Sequence, residues 1–240
     1  MNLLTAENLI KSFRKRTVVN KISIQVGRGE VVGLLGPNGA GKTTTFNLVV
    51  GLIRPDHGSV HFNGTEVTGW PIHKRARLGI GYLTQEPSVF RKLTVEQNIL
   101  AILETCQMTR EEQEVRLKYL LDELDLAPLA ANLAYTLSGG EKRRLEITRA
   151  LVTNPKLMLL DEPFSGIDPI AVYEVQKIVR RLKDRGLGIL ITDHNVRETL
   201  KLVDRAYLIH RGEILCEGTA EFLVNDKKAR EIYLGPEFNL

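Results

Sequence analysis

One stretch of the sequence has the residue types and spacing that bind phosphate groups. It fits the pattern G-x-x-x-x-G-K-[ST] and consists of Gly36, Pro37, Asn38, Gly39, Ala40, Gly41, Lys42, Thr43 and Thr44. Glycines let the backbone turn tightly, so that successive N–H groups converge on an anion. We expect Lys42 to reach the β- and γ-phosphates of a nucleotide, the Thr43 hydroxyl to ligate Mg²⁺, and Thr44 to touch the α-phosphate.

This phosphate loop requires a strand before it and a helix after it. The apolar run 31–35 predicts a buried strand, and residues 45–50 are typical of the opening of a helix. The N-terminus of that helix adds the positive end of its dipole. A glycine-rich turn before an ordinary helix is disfavoured, because the pattern and its setting agree.

Two adjacent carboxylates follow a second apolar run. Asp161 and Glu162 come directly after residues 157–160, which predict a central parallel strand. Ligands of open α/β sheets bind beyond the carboxyl ends of the strands. We therefore expect Asp161 to hold Mg²⁺ and Glu162 to act as general base towards water. Two solvated acids at a strand end are the alternative, which the upstream phosphate loop disfavours.

The stretch Leu137–Glu141 predicts a second helix start that can approach an anion. Ser138 and Glu141 form a capping box, which is the purely structural interpretation. Capping does not explain Gly139 and Gly140, since each glycine in a helical turn costs up to about 1 kcal/mol relative to alanine. Paired glycines at a helix N-terminus permit close approach of the backbone to a phosphate.

The bulk properties are those of a globular protein. The chain has 240 residues, 43% of them hydrophobic, and a net charge of +4, and we expect neither a signal peptide nor a membrane span. Cys106 and Cys216 lie far apart and predict a reducing compartment. The basic clusters 14–16 and 73–77 lack interleaved aromatics, so we interpret both as solvated surface and expect no nucleic-acid partner.

The order of strands and helices predicts an α/β fold with an inserted helical lobe. Alternating residues at 3–10 and 22–26 predict strands. Capping boxes begin helices at Thr94 and Thr109, and the second helix has an apolar face predicted to contain Val115, Tyr119, Leu120, Leu124 and Leu126. We predict a single domain, 1–240, with a nucleotide-binding core formed by residues 1–85 and 155–240 and a helical subdomain at 86–154.

Together these motifs resemble those of the ATP-binding-cassette family. The resemblance covers nearly the whole chain and includes the phosphate loop, Gln85, Leu137–Glu141, Leu157–Glu162 and His194. It implies a P-loop NTPase (RecA-like) core with a mostly parallel sheet and an N-terminal antiparallel β subdomain. It also implies a head-to-tail homodimer that holds ATP and Mg²⁺ between the phosphate loop of one copy and Ser138–Gly140 of the other.

The resemblance also implies roles for single residues. Gln85 would sense Mg²⁺ and water and link the core to the helical lobe, and His194 would donate a hydrogen bond to the γ-phosphate. Asp168 would lie in a loop that crosses the dimer interface.

Phe13 matches the aromatic that stacks on adenine, although its position alone fits a core residue equally well. Glu141 stands where the family commonly has Gln, which changes the charge beside the second nucleotide site. The predicted catalytic set is Lys42, Gln85, Glu162 and His194, and the predicted metal set is Thr43, Gln85 and Asp161.

A segment after Gln85 predicts contact with a membrane partner. Residues 86–93 lie where transporter cassettes of the family receive a helix of the membrane subunit. Phe90 and Leu93 would be apolar anchors, and Arg91 would make a charged contact. A loop that only packs the lobe is the alternative for Phe90.

Three further stretches, 161–170, 191–199 and 233–238, resemble the ATPases of lipopolysaccharide exporters. We therefore expect an ATPase at the cytoplasmic face of the inner membrane that drives lipopolysaccharide extraction. Two alternatives remain: the ATPase of a branched-chain amino-acid importer, which shares much of the middle stretch, and a soluble cassette with an assembly or regulatory role.

Overall fold

The computed structural model describes residues 2–238, so Met1, Asn239 and Leu240, which the predicted domain includes, lie outside the described residues. Within residues 2–238, ten strands form two sheets. The strands are β1 (Asn2–Phe13), β2 (Arg16–Gly27), β3 (Val31–Leu35), β4 (His57–Phe62), β5 (Thr65–Glu66), β6 (Ile80–Leu83), β7 (Leu157–Asp161), β8 (Gly188–Thr192), β9 (Arg205–His210) and β10 (Glu213–Gly218).

The two sheets differ in strand direction. The first has the order β2-β1-β4-β5 and is antiparallel. The second has the order β10-β9-β3-β8-β7-β6, in which β10 is antiparallel to β9 and the remaining pairs are parallel. The predicted α/β class, with a mostly parallel sheet and an N-terminal antiparallel unit, is confirmed.

The helices begin largely where capping residues stand. They are α1 (Lys42–Val50), α2 (Ile72–Leu78), α3 (Val95–Leu103), α4 (Arg110–Glu123), α5 (Gly139–Leu151), α6 (Pro169–Asp184), α7 (Val196–Leu200), α8 (Ala220–Asn225) and α9 (Lys227–Ala229), followed by a π-helical turn at Arg230–Leu234. Full capping boxes form at Thr94, Thr109 and Ser138, as the sequence predicts. Within residues 2–238, none of these helices combines the length and apolar character needed to cross a bilayer.

The apolar side chains form two clusters on either side of the parallel sheet. One lies between that sheet, the antiparallel sheet and α1 and includes Leu34, Phe46 and Leu159. The other joins the opposite sheet face to α3–α6 and includes Met158 and Leu145. Residues 86–154, all described, contain helices and a single bridge between Thr94 and Leu133. The exact subdomain boundaries stay a prediction.

The prediction of solvated surface for the basic cluster 73–77 is wrong for one of its residues, Arg75. Its side chain is 1% exposed and donates to the carbonyls of Leu48, Val49, Thr68 and Trp70. Two of these carbonyls belong to the last turn of α1, where a cation complements the helix dipole. Burial lowers the pKa of Arg75 to about 10, so its guanidinium stays charged at neutral pH.

Phe13 is the last residue of β1, which pairs it with Arg16 across a tight turn. The predicted apolar face of α4 is wrong for Val115, which is 71% exposed, and for Tyr119, which is 43% exposed, whereas the predicted Leu120, Leu124 and Leu126 are buried.

Candidate functional site

The phosphate loop connects β3 to α1 and depends on two glycines. Gly36 has a φ of 153° and Gly41 a φ of 108°, conformations that favour glycine. A side-chain carbon on Gly36 would lie 2.2 Å from the carbonyl oxygen of Ile209, and one on Gly41 would lie 2.7 Å from that of Val18. The loop is therefore packed against β9 and β2, and this packing fixes its shape.

Lys42, the first residue of α1, turns its side chain back over this loop. Its Nζ donates to the carbonyls of Gly36 at 2.7 Å and Pro37 at 3.1 Å. Burial lowers the pKa of Lys42, while the nearby carboxylates of Glu162 and Asp161 act in the opposite direction. The ammonium thus occupies the centre of the loop, where a phosphate can replace the carbonyls as its partner.

Glu162 stands immediately beyond β7 in an unusual backbone conformation. Its φ is 50°, and its backbone N–H donates to the carbonyl of Thr192 at the end of the neighbouring strand β8. A positive φ at a residue other than glycine is uncommon and stores strain. The conformation directs the Glu162 carboxylate towards the loops that follow β6 and β8.

Those loops supply two partners for the carboxylate. Gln85 Nε2 lies 2.8 Å from Glu162 Oε2, and His194 Nε2 lies 2.6 Å from Glu162 Oε1. Three strand ends therefore bring together side chains that are distant in sequence. The predicted grouping of Lys42, Gln85, Glu162 and His194 occurs in one cleft of about 410 Å³, which is lined by Val18, Asn38, Gly39, Gly41, Lys42, Thr43, Thr44, Gln85, Glu162 and His194.

Asp161 lies beneath this first cleft with unused hydrogen-bonding capacity. It is 2% exposed, its Oδ1 has no partner among the described residues, and Tyr82 donates weakly to Oδ2 at 3.4 Å. Burial, followed by the charge of Glu162, raises the pKa of the Asp161 carboxyl. A buried carboxylate oxygen without a partner suits a hard cation. No cluster of three or more His, Cys, Asp or Glu side chains is arranged for a metal within residues 2–238.

The second helix start, Ser138–Glu141, contributes to a second cleft. It measures about 310 Å³ and is lined by Ser138, Gly140, Glu141, Arg144, Asp168, Ile170, Ala171 and Glu174. A side-chain carbon on Gly140 would lie 2.7 Å from Cβ of Ala171, so close packing of α5 against α6 also requires this glycine. Asp168 Oδ1 accepts from the N–H groups of Ile170 and Ala171 and caps α6. Ser138, Gly140 and Asp168 are thus brought together, but away from the first cleft.

Phe13 is not among the residues that line either cleft. Its ring is 46% exposed, and Lys11 Nζ lies 5.8 Å from the ring centroid. The exposed ring does not support the core alternative, and adenine stacking stays a prediction.

Arg143 is a structural residue of the site that sequence reasoning missed. It is 6% exposed and donates to the carbonyls of Asp161, Glu162 and Pro163. Its Nη1 also pairs with Glu146 at 2.8 Å. Helix α5 is thereby attached to the backbone that carries the two carboxylates. Its place within a run of basic residues, Lys142–Arg144, gives no sign of burial.

Asp193 is a second structural residue of the site that sequence reasoning did not identify. Its Oδ2 accepts from the backbone of Phe164 and its Oδ1 from that of Asn195, so it holds together the loops after β7 and β8. These are the loops that carry Glu162 and His194.

The loop at Phe90 is held firmly although its side chains face solvent. The buried Asn98 accepts from Phe90 N at 2.8 Å and donates to Phe90 O at 3.0 Å. The ring is 46% exposed and lies 4.5 Å from the Arg149 guanidinium. Arg149 in turn donates to the carbonyl of Ser88. Arg91 is exposed and Leu93 half-buried.

Comparison with known proteins agrees with this architecture. A family model described as ABC transporter matches residues 19–165. The chain is 53% identical over 238 residues to the lipopolysaccharide export system ATP-binding protein LptB of Acidithiobacillus ferridurans, covering 99% of both chains. It is 51% identical over 241 residues to the LptB of Haemophilus influenzae, covering 100% of both.

Solved structures lead to the same family. The ADP conformation of MJ1267, an ATP-binding cassette of an ABC transporter, superimposes with a TM-score of 0.88 at 31% identity, covering 98% of this chain and 99% of that one. With the phosphate loop, the carboxylate cluster and the second helix start all in place, the chain belongs to the ABC transporter family, as an ATPase subunit.

Proposed function

We propose that this chain hydrolyses ATP in the first cleft and drives the extraction of lipopolysaccharide from a membrane. The observation that carries the ATPase chemistry is the placement of the Glu162 carboxylate between Gln85 and His194, opposite the phosphate loop. The backbone N–H groups of Gly39 to Thr44 and the Lys42 ammonium bind the phosphates. Phe13 stacks on the adenine ring, with Asn38 and Ala40 shaping the loop.

The residues present fit a magnesium ion. Asp161 offers a buried oxygen without a partner, and Thr43 and Gln85, whose side chains also carry oxygen, line the first cleft. In nucleotide sites, Mg²⁺ usually binds a few protein oxygens, and water and phosphate oxygens complete its coordination. When bound, the ion neutralises charge on the β- and γ-phosphates.

In the proposed reaction, Glu162 accepts a proton from a water molecule. The water oxygen forms a bond to the γ-phosphorus, and the bond from that phosphorus to the β–γ bridging oxygen breaks, which leaves ADP and phosphate. Lys42 and His194 donate hydrogen bonds to the γ-phosphoryl oxygens as their charge redistributes. Gln85 orients the water and reports the state of the site to the lobe through the loop that follows β6.

Cassettes of this family form dimers and work with membrane subunits. We propose that two copies of this chain assemble head to tail, so that Ser138, Gly139 and Gly140 of one copy close on the nucleotide held by the other. Asp168 lies at the edge of the second cleft, where the copies would meet. The proposed contact for the membrane subunit is the Phe90–Leu93 stretch, where Phe90 and Arg91 are exposed and Asn98 holds the Phe90 backbone in a fixed conformation.

The cargo assignment rests on the relatives. Two proteins named for lipopolysaccharide export are 53% and 51% identical over essentially the full length of both chains. This similarity favours export over the importer and over a soluble regulatory role. We propose a location on the cytoplasmic face of the inner membrane, where ATP is available, and a division of the chain into the core, 1–85 with 155–240, and the lobe, 86–154.

The test is reconstitution of the complex that contains this chain. The tagged protein is purified with its membrane subunits and placed in liposomes loaded with lipopolysaccharide, and release is followed with and without ATP. We expect ATP-dependent release that Glu162→Gln abolishes. ATP-dependent uptake of leucine by the same liposomes, without release of lipopolysaccharide, would instead support the importer.

A further inference from the structure

In the second cleft, the hydroxyl group of Ser138 is already engaged by its own helix. Ser138 Oγ lies 2.8 Å from Glu141 Oε2, and the Ser138 N–H donates to the same oxygen at 2.8 Å. An ionised carboxylate only accepts hydrogen bonds, so the hydroxyl must give its single proton to Glu141. The hydrogen bonds from the Ser138 backbone and hydroxyl lower the pKa of Glu141, so the group is ionised at neutral pH.

Three carboxylates and one cation line the cleft around this pair, and Lys142, outside the lining, also attracts Glu141. Glu141, Asp168 and Glu174 line the cleft, against the single cation Arg144 among its lining residues. Asp168 caps α6, and Glu174 pairs with Lys177 at 3.3 Å. Glu141 is the carboxylate that contacts Ser138 directly. A phosphate that accepts a hydrogen bond from Ser138 must therefore lie beside this negative charge.

The proposed dimer requires Ser138 to change its partner. To donate to a γ-phosphate oxygen, the hydroxyl must turn away from Glu141, and two negative groups are then left close together. We propose that Glu141 acts as a brake on dimer closure and sets the ATP concentration at which two copies close. This inference rests on the proposed nucleotide sandwich and adds its regulation.

Glutamine at this position separates the two roles of Glu141. In Glu141→Gln the amide oxygen can still accept from Ser138, so the capping box and the helix start are retained. The negative charge is removed, and a neutral acceptor releases the hydroxyl more easily. We therefore expect half-maximal dimer formation at about a tenfold lower ATP concentration. This change corresponds to about 1.4 kcal/mol.

The experiment uses the hydrolysis-blocked Glu162→Gln protein as parent. Dimer fraction is measured by analytical ultracentrifugation at fixed protein concentration across a titration with ATP and Mg²⁺. Glu141→Gln is compared with Glu174→Gln, both in this parent. The control removes the same charge from the same cleft but not from Ser138, and we expect its midpoint to stay within about twofold of the parent.

The outcomes separate the brake from the dimer itself. A Glu141→Gln midpoint equal to that of the parent, with an unchanged melting curve, overturns the brake and leaves the dimer standing. An equal fall in both variants also overturns it, because overall charge would then be responsible. A parent that stays monomeric at saturating ATP overturns the nucleotide sandwich and the brake with it.

Discussion

At the scale of the residue, the first cleft depends on two adjacent carboxylates in different environments. Glu162 has two hydrogen-bonding neighbours and faces the cleft, whereas Asp161 is buried with one oxygen unpartnered. Burial of an unpaired carboxylate disfavours its charged form. The raised pKa of Asp161 is therefore a stability penalty that a bound cation would relieve.

Asp161→Asn should stabilise the nucleotide-free protein while removing its response to Mg²⁺. Above the folded-state pKa, the wild-type protein bears the penalty of an ionised, buried carboxylate, and asparagine does not, so we expect a gain of about 1 kcal/mol. The gain should shrink as the pH falls below the raised folded pKa and vanish below the pKa of the unfolded state, where the wild-type carboxyl is neutral in both states. Urea unfolding at several pH values measures it. A variant less stable than wild type at neutral pH would contradict this account.

At the scale of the element, the site is formed by the ends of neighbouring strands, and contacts with helices hold these ends in position. Arg143 attaches α5 to the backbone at Asp161–Pro163, and Arg75 caps the far end of α1, the helix that begins at Lys42. These cations bind carbonyl groups rather than substrate. They fix the position of the phosphate-binding elements.

Arg75→Met should destabilise the fold by about 3 kcal/mol, because it leaves buried carbonyls without donors. The matched control is Arg77→Met in the same helix, whose side chain is exposed and whose loss should change stability by less than about 0.5 kcal/mol. Chemical denaturation of both variants measures the difference. Equal effects of the two substitutions would show that burial at Arg75 is not the cause.

Gly140 has two roles that a paired substitution can separate. Gly140→Ala places a methyl group against Ala171, so we expect a loss of about 1–3 kcal/mol. Adding Ala171→Gly should restore stability to within about 1 kcal/mol, because it removes the opposing methyl group.

If Gly140 also allows the close approach of a phosphate, the double variant should fold normally but hydrolyse ATP slowly. Melting curves and ATPase rates measured on the same samples test this expectation. Full recovery of hydrolysis would restrict Gly140 to packing of α5 against α6.

The elements and the groups at their ends follow from local pattern, whereas burial of polar side chains does not. The phosphate loop, the strand before Asp161 and the capping boxes are each encoded within about ten neighbouring residues. Arg75 and Arg143 lie in basic runs that are indistinguishable from solvated surface until distant segments cover them. Val115 has helical spacing typical of an apolar face, yet no element packs over it. Such outcomes depend on tertiary contacts that periodicity does not contain.

At the scale of the whole molecule, each of the two clefts holds only part of the proposed nucleotide site, and a second copy is needed to complete it. The first presents Lys42 and Glu162, and the second presents Ser138 and Gly140. Neither cleft of a single chain brings both sets together. A dimer that pairs unlike clefts would complete two nucleotide sites at once, and the Phe90 loop would transmit its closure to membrane subunits.

Phe90→Glu should break assembly with the membrane subunits while sparing ATP hydrolysis by the isolated chain to within about twofold. The ring is exposed and does not line the first cleft, so its loss removes an apolar anchor and places a charge in the contact. Tyr119→Glu, at a ring 43% exposed on α4, is the matched control and should leave assembly intact. Co-purification from detergent extracts measures both. Normal assembly of Phe90→Glu would place the partner contact elsewhere.

The dimer itself is tested most directly by a structure of the Glu162→Gln protein with ATP and Mg²⁺. The loss of the general base should leave nucleotide binding intact and almost abolish turnover, so the closed state accumulates. The account predicts two ATP molecules, each between Lys42 of one copy and Ser138 of the other. A monomer with ATP at its phosphate loop and Ser138 open to solvent would contradict it.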